Sequence, residues 1–361
     1  MTQLDVVVQD MTMLRRAKKI GRRFLNPVPT EIGGFSTIFK VLPLYFTNKA
    51  ETVPRRTLGP FTTDVAVYSA APESGLRVTW MGHSSLLVEI DGVRVLMDPV
   101  WDERASPVRW AGPKRFFAAP VRLEDLPPVD VVLVSHDHYD HLGETTIRRL
   151  TKLASMSGAQ WVTSLGVRES LQAFGVDAGK IMELDWTQRV GVADGRLEIT
   201  ALPARHFSGR GMFNRFETLW SSFVLKGAKH TVYFGADSGW WEGFAEIGAA
   251  YGPFDLTMLE IGAFDALWGG IHLGPDGAAR AFEALGGNGA GGRGLLMPIH
   301  WGLFDLALHA WRQPMERMLE LAGERGVRLW APEPGRPTEV VAGVEVRSDW
   351  WRQEAGKRGS T

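Results

Sequence analysis

From Val129 to His141 the chain reads VDVVLVSHDHYDH, and this stretch limits the fold more than any other. An apolar, β-branched run ends at Ser135 and opens at once into His136, Asp137, His138, Tyr139, Asp140 and His141. Three imidazoles and two carboxylates so close to a buried strand are costly to place without partners. A divalent cation supplies those partners, because neutral imidazole and carboxylate are its nitrogen and oxygen ligands. The chain has no cysteine, so disulfides, thiolate ligands, a Cys nucleophile and a structural zinc finger are excluded. Any metal must therefore sit on His, Asp or Glu. His136 and His138, two apart, can point the same way off an extended segment. Asp140 and His141 lie beyond the turn and can face a second point, so one loop can serve two metals.

The same syntax recurs downstream, with a hydrophobic strand delivering a His or Asp at its carboxyl end. ITALPARH places His206, TVYFGAD places Asp237 and LLMPIH places His300. In α/β sheets, sites gather at such strand ends, where loops vary over a fixed scaffold. Strands are expected at 76–81, 85–90, 93–98, 130–135, 196–203, 219–226, 230–236, 255–260 and 294–299. Helices are expected at 143–153, 167–175, 243–250, 277–285 and 314–326. Asp91-Gly92 predicts a tight hairpin turn between the second and third strands. Gly286 to Gly294 lacks the Lys-Ser/Thr ending of a phosphate loop and lies between a helix and a strand, so it reads as a plain loop.

Forty basic against forty-one acidic residues give a net charge of −1, which argues against a nucleic-acid partner held by general basicity. No stretch reaches the roughly 18 apolar residues that cross a bilayer, and the N-terminus does not read as a secretory signal. A cytoplasmic protein is expected. Residues 1–60 nonetheless carry a net +6. The division expected is an N-terminal extension at 1–75, a catalytic domain at 76–345 and a polar C-terminal tail at 346–361. The extension has two readings. It can wrap the core with its basic face in water, or residues 13–46 can form an amphipathic patch touching the inner face of an anionic membrane.

HDHYDH, with His206, Asp237 and His300 downstream, resembles the H-x-H-x-D-H signature of the metallo-β-lactamase-fold hydrolases. Residues 78–101, 106–116, 126–142, 234–239, 251–256 and 297–307 narrow the likeness to the N-acyl-phosphatidylethanolamine-hydrolysing phospholipase D branch, as does RRFLNPVPT at 22–30. The resemblance implies an αββα sandwich: two mixed β-sheets with helices outside, and two zinc ions at one edge. It assigns His136, His138 and His206 to the first zinc, Asp140, His141 and His300 to the second, and Asp237 to both. Asp98 and His83 would stand behind the ligands, Asp98 orienting an imidazole. Asp237 and Asp140 would serve catalysis through the metals, and His272, in GGIHLGPDG, would assist the leaving group. The implied reaction hydrolyses N-acyl-phosphatidylethanolamine, or a related glycerophospholipid, to phosphatidic acid and an N-acylethanolamine. The alternatives are a lactonase or carboxylic esterase on the same metals and a non-catalytic lipid- or partner-binding module. A homodimer is compatible with this reading. Of fourteen tryptophans, Trp101, Trp110, Trp220, Trp240, Trp241, Trp268 and Trp301 lie in or beside motif loops, where packing is the plainer role and an acyl-chain channel the sharper one.

Overall fold

The computed structural model describes residues 13–32, 43–44, 47–211, 213–265, 267, 270–288 and 294–353. A two-residue hairpin, β1 (Lys19–Ile20) and β2 (Arg23–Phe24), precedes the main body. Then follow β3 (Leu76–Gly82), β4 (Ser85–Ile90), β5 (Val93–Met97), β6 (Val131–Val134), β7 (Gln160–Ser164) and β8 (Ile181–Leu184). β9 (Arg189–Val192), β10 (Leu197–Leu202), β11 (Ser222–Lys226), β12 (Thr231–Phe234), β13 (Leu256–Glu260) and β14 (Leu295–Ile299) come next. The short β15 (Trp330–Ala331), β16 (Thr338–Glu339) and β17 (Val346–Arg347) close the chain. The helices are α1 (Glu144–Leu150), α2 (Arg168–Ala173), α3 (Gly243–Tyr251), α4 (Gly274–Ala284) and α5 (Gln313–Arg325).

Two mixed sheets result. The first has the order β16-β3-β4-β5-β6-β7-β8 and the second β14-β13-β12-β11-β10-β9. In the first, β5, β6, β7 and β8 pair in parallel; in the second, β12, β13 and β14 do. Parallel strands end at the same edge of their sheet, and that edge carries the chemistry.

The β4–β5 hairpin forms as its sequence requires, with Asp91 at φ 48° and Gly92 at φ 83°. Side-chain alternation sorts the layers. Leu86, Val88, Val95, Val131 and Leu133 join residues of the second sheet such as Ile199 and Val224 in the inter-sheet core. Leu87, Leu96, Val132 and Val134 turn outward and pack with Ile147, Leu150 and Leu171 of α1 and α2. α3, α4 and α5 cover the second sheet with Phe244, Ala278, Phe282 and Met318. This is the αββα sandwich. Among the described residues no helix is long and apolar enough to cross a membrane.

Besides the two-residue strands β1, β2, β15, β16 and β17, three strands differ from the sequence expectation by existing at all. QWVTS (β7), IMEL (β8) and RVGV (β9) are short, and β9 lies at an edge and half-exposed. At four or five residues each they are too short to show a clear period, and pairing with an already buried neighbour decides them. The C-terminal stretch also differs. Residues 346–353 are not a polar tail: β17 pairs with β15, and Trp350 and Trp351 are buried against Trp301 at ring-centroid distances of 5.2 and 5.4 Å. Arg352 and Gln353 after these tryptophans are exposed, and residues 354–361 lie outside the described part.

Residues 13–30 run along the main body. The Met13 amide donates to Glu246, the Ala17 amide to Asp185 (3.0 Å) and the Phe24 amide to the Phe216 carbonyl (2.8 Å). The Phe24 side chain is buried with Trp186, Ala204, Leu219 and Trp220.

Candidate metal centre

β6 is buried on both faces, as the middle strand of a covered parallel array must be. Its carboxyl end releases Ser135 and the His136–His141 loop. β5 ends beside it with Asp98, the β3–β4 turn contributes His83, and β10, β12, β13 and β14 lead to His206, Asp237, Glu260 and His300. His83, Asp98 and His300 have φ values of 55°, 39° and 59°. Such left-handed backbone at non-glycine residues costs on the order of 1 kcal/mol or more and persists where surroundings enforce it.

Three overlapping groups of donors form among the described residues. His136, His138, His206 and Asp237 each offer one atom, all within 4.8 Å of one another. So do His83, Asp140, His141 and His300, and so do Asp237, Glu260, His272 and His300. Asp237 stands between the groups. Its Oδ2 is 3.9 Å from His136 Nε2, 3.6 Å from His206 Nε2 and 3.1 Å from His300 Nε2, while its Oδ1 is 3.1 Å from His141 Nε2. Asp140 Oδ2 lies 3.3 Å from His300 Nε2 and 3.7 Å from His141 Nε2. The seven expected ligands therefore lie close together, with His83 beside Asp140, His141 and His300, and with Glu260 and His272 beside Asp237 and His300. His141 Nε2, His300 Nε2 and Asp237 Oδ1 are buried without a hydrogen-bond partner among the described residues. Inward-facing, unpartnered nitrogen and oxygen lone pairs are the donor set of a divalent cation, so the residues fit a metal pair.

Partners outside the centre turn these lone pairs inward. Asp98 accepts from the Ser135 amide, from Ser135 Oγ and from His141 Nδ1, each at 2.7 Å. Because Ser135 Oγ spends its proton on Asp98, it accepts from His136 Nδ1 at 2.9 Å, leaving His136 Nε2 unprotonated. His206 Nδ1 donates to the Ile271 carbonyl at 2.9 Å with the same result. Asp137 faces away: it accepts from the Gly209 amide and Thr218 Oγ1 and so pins the loop after His206.

The electrostatics follow from crowding. Burial, then the neighbouring imidazoles, keeps His136 neutral far below its ordinary range. Burial does the same to His206. For Asp237 burial opposes ionisation, yet His141 and His300 hold its carboxyl well below the usual carboxylate range. His83, buried with its ring tilted against that of His300 at a centroid distance of 3.9 Å, is pushed down to about 3, chiefly by burial. Its Nε2 is 2.9 Å from Asp140 Oδ2, so it backs that carboxylate.

His272 sits at the rim, its ring 5.0 Å from His206 and 5.3 Å from His300. Its Nδ1 is 2.5 Å from Glu260 Oε2, and Glu260 Oε1 accepts from the amides of Ser238 and Leu273. Glu260 was not among the residues expected from sequence. Its signal was present, since DLTMLE is another buried strand ending in an acid. Two further contacts carried no sequence signal: Asn26 Nδ2 donates to the His206 carbonyl at 2.8 Å, and Arg205 Nε donates to Thr30 Oγ1 at 3.0 Å. They tie the N-terminal segment to the loop that bears His206. Of the motif tryptophans, Trp220, Trp241 and Trp301 are buried and Trp110 is 82% exposed; Trp268 lies outside the described residues.

Residues 93–301 match the model of the beta-lactamase superfamily domain. The chain belongs to the β-lactamase superfamily. It is 44% identical to an uncharacterized protein of Mycobacterium tuberculosis over 77% of this chain and 72% of that protein. It is 36% identical to N-acyl-phosphatidylethanolamine-hydrolyzing phospholipase D 1 of Caenorhabditis elegans over 70% of this chain and 71% of that one. The fold is also that of the isothiocyanate hydrolase from Delia radicum gut bacteria (TM-score 0.58, 20% identity, 74% of this chain and all of the other). Fold, relatives and paired donor groups make the chain a metal-dependent hydrolase with the metallo-β-lactamase fold.

Proposed function

We propose that the chain is a zinc-dependent phosphodiesterase of the phospholipase D type, cleaving N-acyl-phosphatidylethanolamine or a related glycerophospholipid to phosphatidic acid and an N-acylethanolamine. The observation that carries this reading is the His272–Glu260 pair beside the two donor groups, in a chain similar over most of its length to a relative named for that reaction. A phosphodiester must expel an alkoxide, and such a pair can give that oxygen a proton.

His136, His138 and His206 would hold one zinc, Asp140, His141 and His300 the other, and Asp237 both. Bound there, the two ions would supply an activated water at neutral pH and offset charge on the phosphoryl oxygens. Asp98 and Ser135 keep His141 and His136 in the tautomer that presents Nε2. His272, fixed through Nδ1 by Glu260, has Nε2 left to protonate or hydrogen-bond the departing oxygen.

Access to a bilayer lipid is the second half of the reading. Arg15, Arg16, Lys18, Lys19, Arg22 and Arg23 are exposed, and Ile20 (70%) and Phe213 (82%) are exposed among them or near them. Phe24 joins this hairpin to Phe216, and Asn26 joins it to His206, so the basic and apolar side chains lie on segments attached to the site. They support peripheral contact with an anionic membrane. Phe35, Ile38, Phe39, Leu42, Tyr45 and Phe46, which the sequence reading added to this patch, lie outside the described residues. The test is a substrate panel on the zinc-loaded protein. Phosphatidic acid should appear from N-acyl-phosphatidylethanolamine; hydrolysis of lactones alone would replace this reading with the esterase one.

A further inference from the structure

Residues 53–57 and 112–116, with Asp305, enclose a cleft of about 600 Å³. Arg55, Arg56, Lys114 and Arg115 line it against one acid, Asp305. Two of these cations are committed to exposed carboxylates: Arg55 to Glu51 at 3.0 Å and Lys114 to Glu103 at 2.9 Å. Such exposed pairs are weakly held and exchange readily for another anion. Arg115 is different. Its Nε is buried and has no hydrogen-bond partner among the described residues. The acid whose charge it feels, Asp102, spends its oxygens on the Thr145 and Thr146 amides and on Thr146 Oγ1 at the start of α1. Burial pushes the Arg115 guanidinium down to about 10. A guanidinium nitrogen shielded from water without a partner is costly, and the planar fork of the half-buried Arg115 matches a tetrahedral oxyanion. The volume suits a small molecule.

We propose that this cleft is a binding site for a phosphate-bearing ligand, anchored by Arg115 and separate from the metal centre. A free phosphate ester and the headgroup of an anionic phospholipid share the chemistry it recognises. Asp305 links the site to catalysis, because it also walls a small hollow that reaches His300. Occupancy is thus placed to be felt at the metal centre without a ligand entering it.

The experiment is calorimetric titration of the full-length, metal-loaded protein with two probes, glycerol 3-phosphate and dihexanoyl phosphatidic acid below its micelle concentration. Arg115→Met should weaken binding of at least one probe about 10- to 100-fold, as expected for losing a charge-assisted contact. Turnover of bis(p-nitrophenyl) phosphate should stay unchanged, and Asp237→Asn should leave this binding event in place. Loss for glycerol 3-phosphate assigns a soluble ligand, and loss for the lipid alone assigns a headgroup. If Arg115→Met does not fold, Arg55→Gln with Lys114→Gln must weaken the same titration. Titrations unaffected by these cleft substitutions, or binding that vanishes only with Asp237→Asn, would overturn the proposal.

Discussion

Asp98→Asn isolates what one buried carboxylate does for a metal centre that it does not touch. The substitution keeps the volume and the backbone, and asparagine tolerates the φ of 39° at this position. Its carbonyl can still accept from the Ser135 amide, but its amide must now face Ser135 Oγ or His141 Nδ1, where the carboxylate oxygen accepts from both at 2.7 Å. Facing a donor, His141 Nδ1 has to accept, so the proton moves to Nε2, the atom aimed at Asp140 and Asp237. The lone pair for the second metal is lost. Outer partners of this kind are worth about 10- to 100-fold in metal affinity, or roughly 1.4–2.8 kcal/mol. Zinc titration against a competing chelator should show at least the site that includes His141 weakened by that factor, with turnover restored by excess zinc. Undiminished zinc affinity at the site that includes His141, or lost turnover at undiminished zinc occupancy, would refute the tautomer argument.

His272→Ala should retain both metals and lose turnover of alkyl phosphodiesters, with a much smaller loss on a p-nitrophenyl ester, whose leaving group needs no proton; equal losses would give His272 another role. Glu260→Gln should reproduce that pattern more weakly, as it keeps the amide contacts but not the charge-assisted bond to His272. Away from the site, burial tends to raise Asp91, but the Lys229 and His230 amides and the His230 ring hold it below the ordinary carboxylate range. Its stabilisation is therefore present above about pH 3.9 and is lost as pH falls through the lower folded value; in urea unfolding, the deficit of Asp91→Asn should shrink below that pH, and a deficit independent of pH would contradict the assignment. Neutralising Arg15, Arg16, Lys18 and Lys19 together should lower activity on anionic vesicles at low salt, since each charge near the surface contributes about 1 kcal/mol, while a soluble diester should be unaffected.

The parts of this molecule that were legible in the sequence are those where local chemistry and global position agree. VVLV is apolar on both faces because β6 is covered on both, and its end must be polar because the ligands leave there. The Asp-Gly turn and the strands leading to His206, Asp237 and His300 follow the same logic. β7, β8 and β9 escaped because short strands of mixed composition take their state from neighbours in the sheet. Glu260 escaped although its strand was recognised, since one acid at a strand end gains meaning only when His272 arrives from a separate loop. Asn26 and Arg205 escaped for a plainer reason: a side-chain hydrogen bond across 180 or 175 residues leaves no periodicity to read.

The most direct test of the account pairs metal content with product identity in a single preparation. Mass-spectrometric metal analysis should find close to two zinc ions per wild-type chain and a loss of both the shared site and activity in Asp237→Ala. The same wild-type sample should release phosphatidic acid from N-acyl-phosphatidylethanolamine vesicles. Full phosphatidic acid release by metal-free protein, or by Asp237→Ala, would contradict the account.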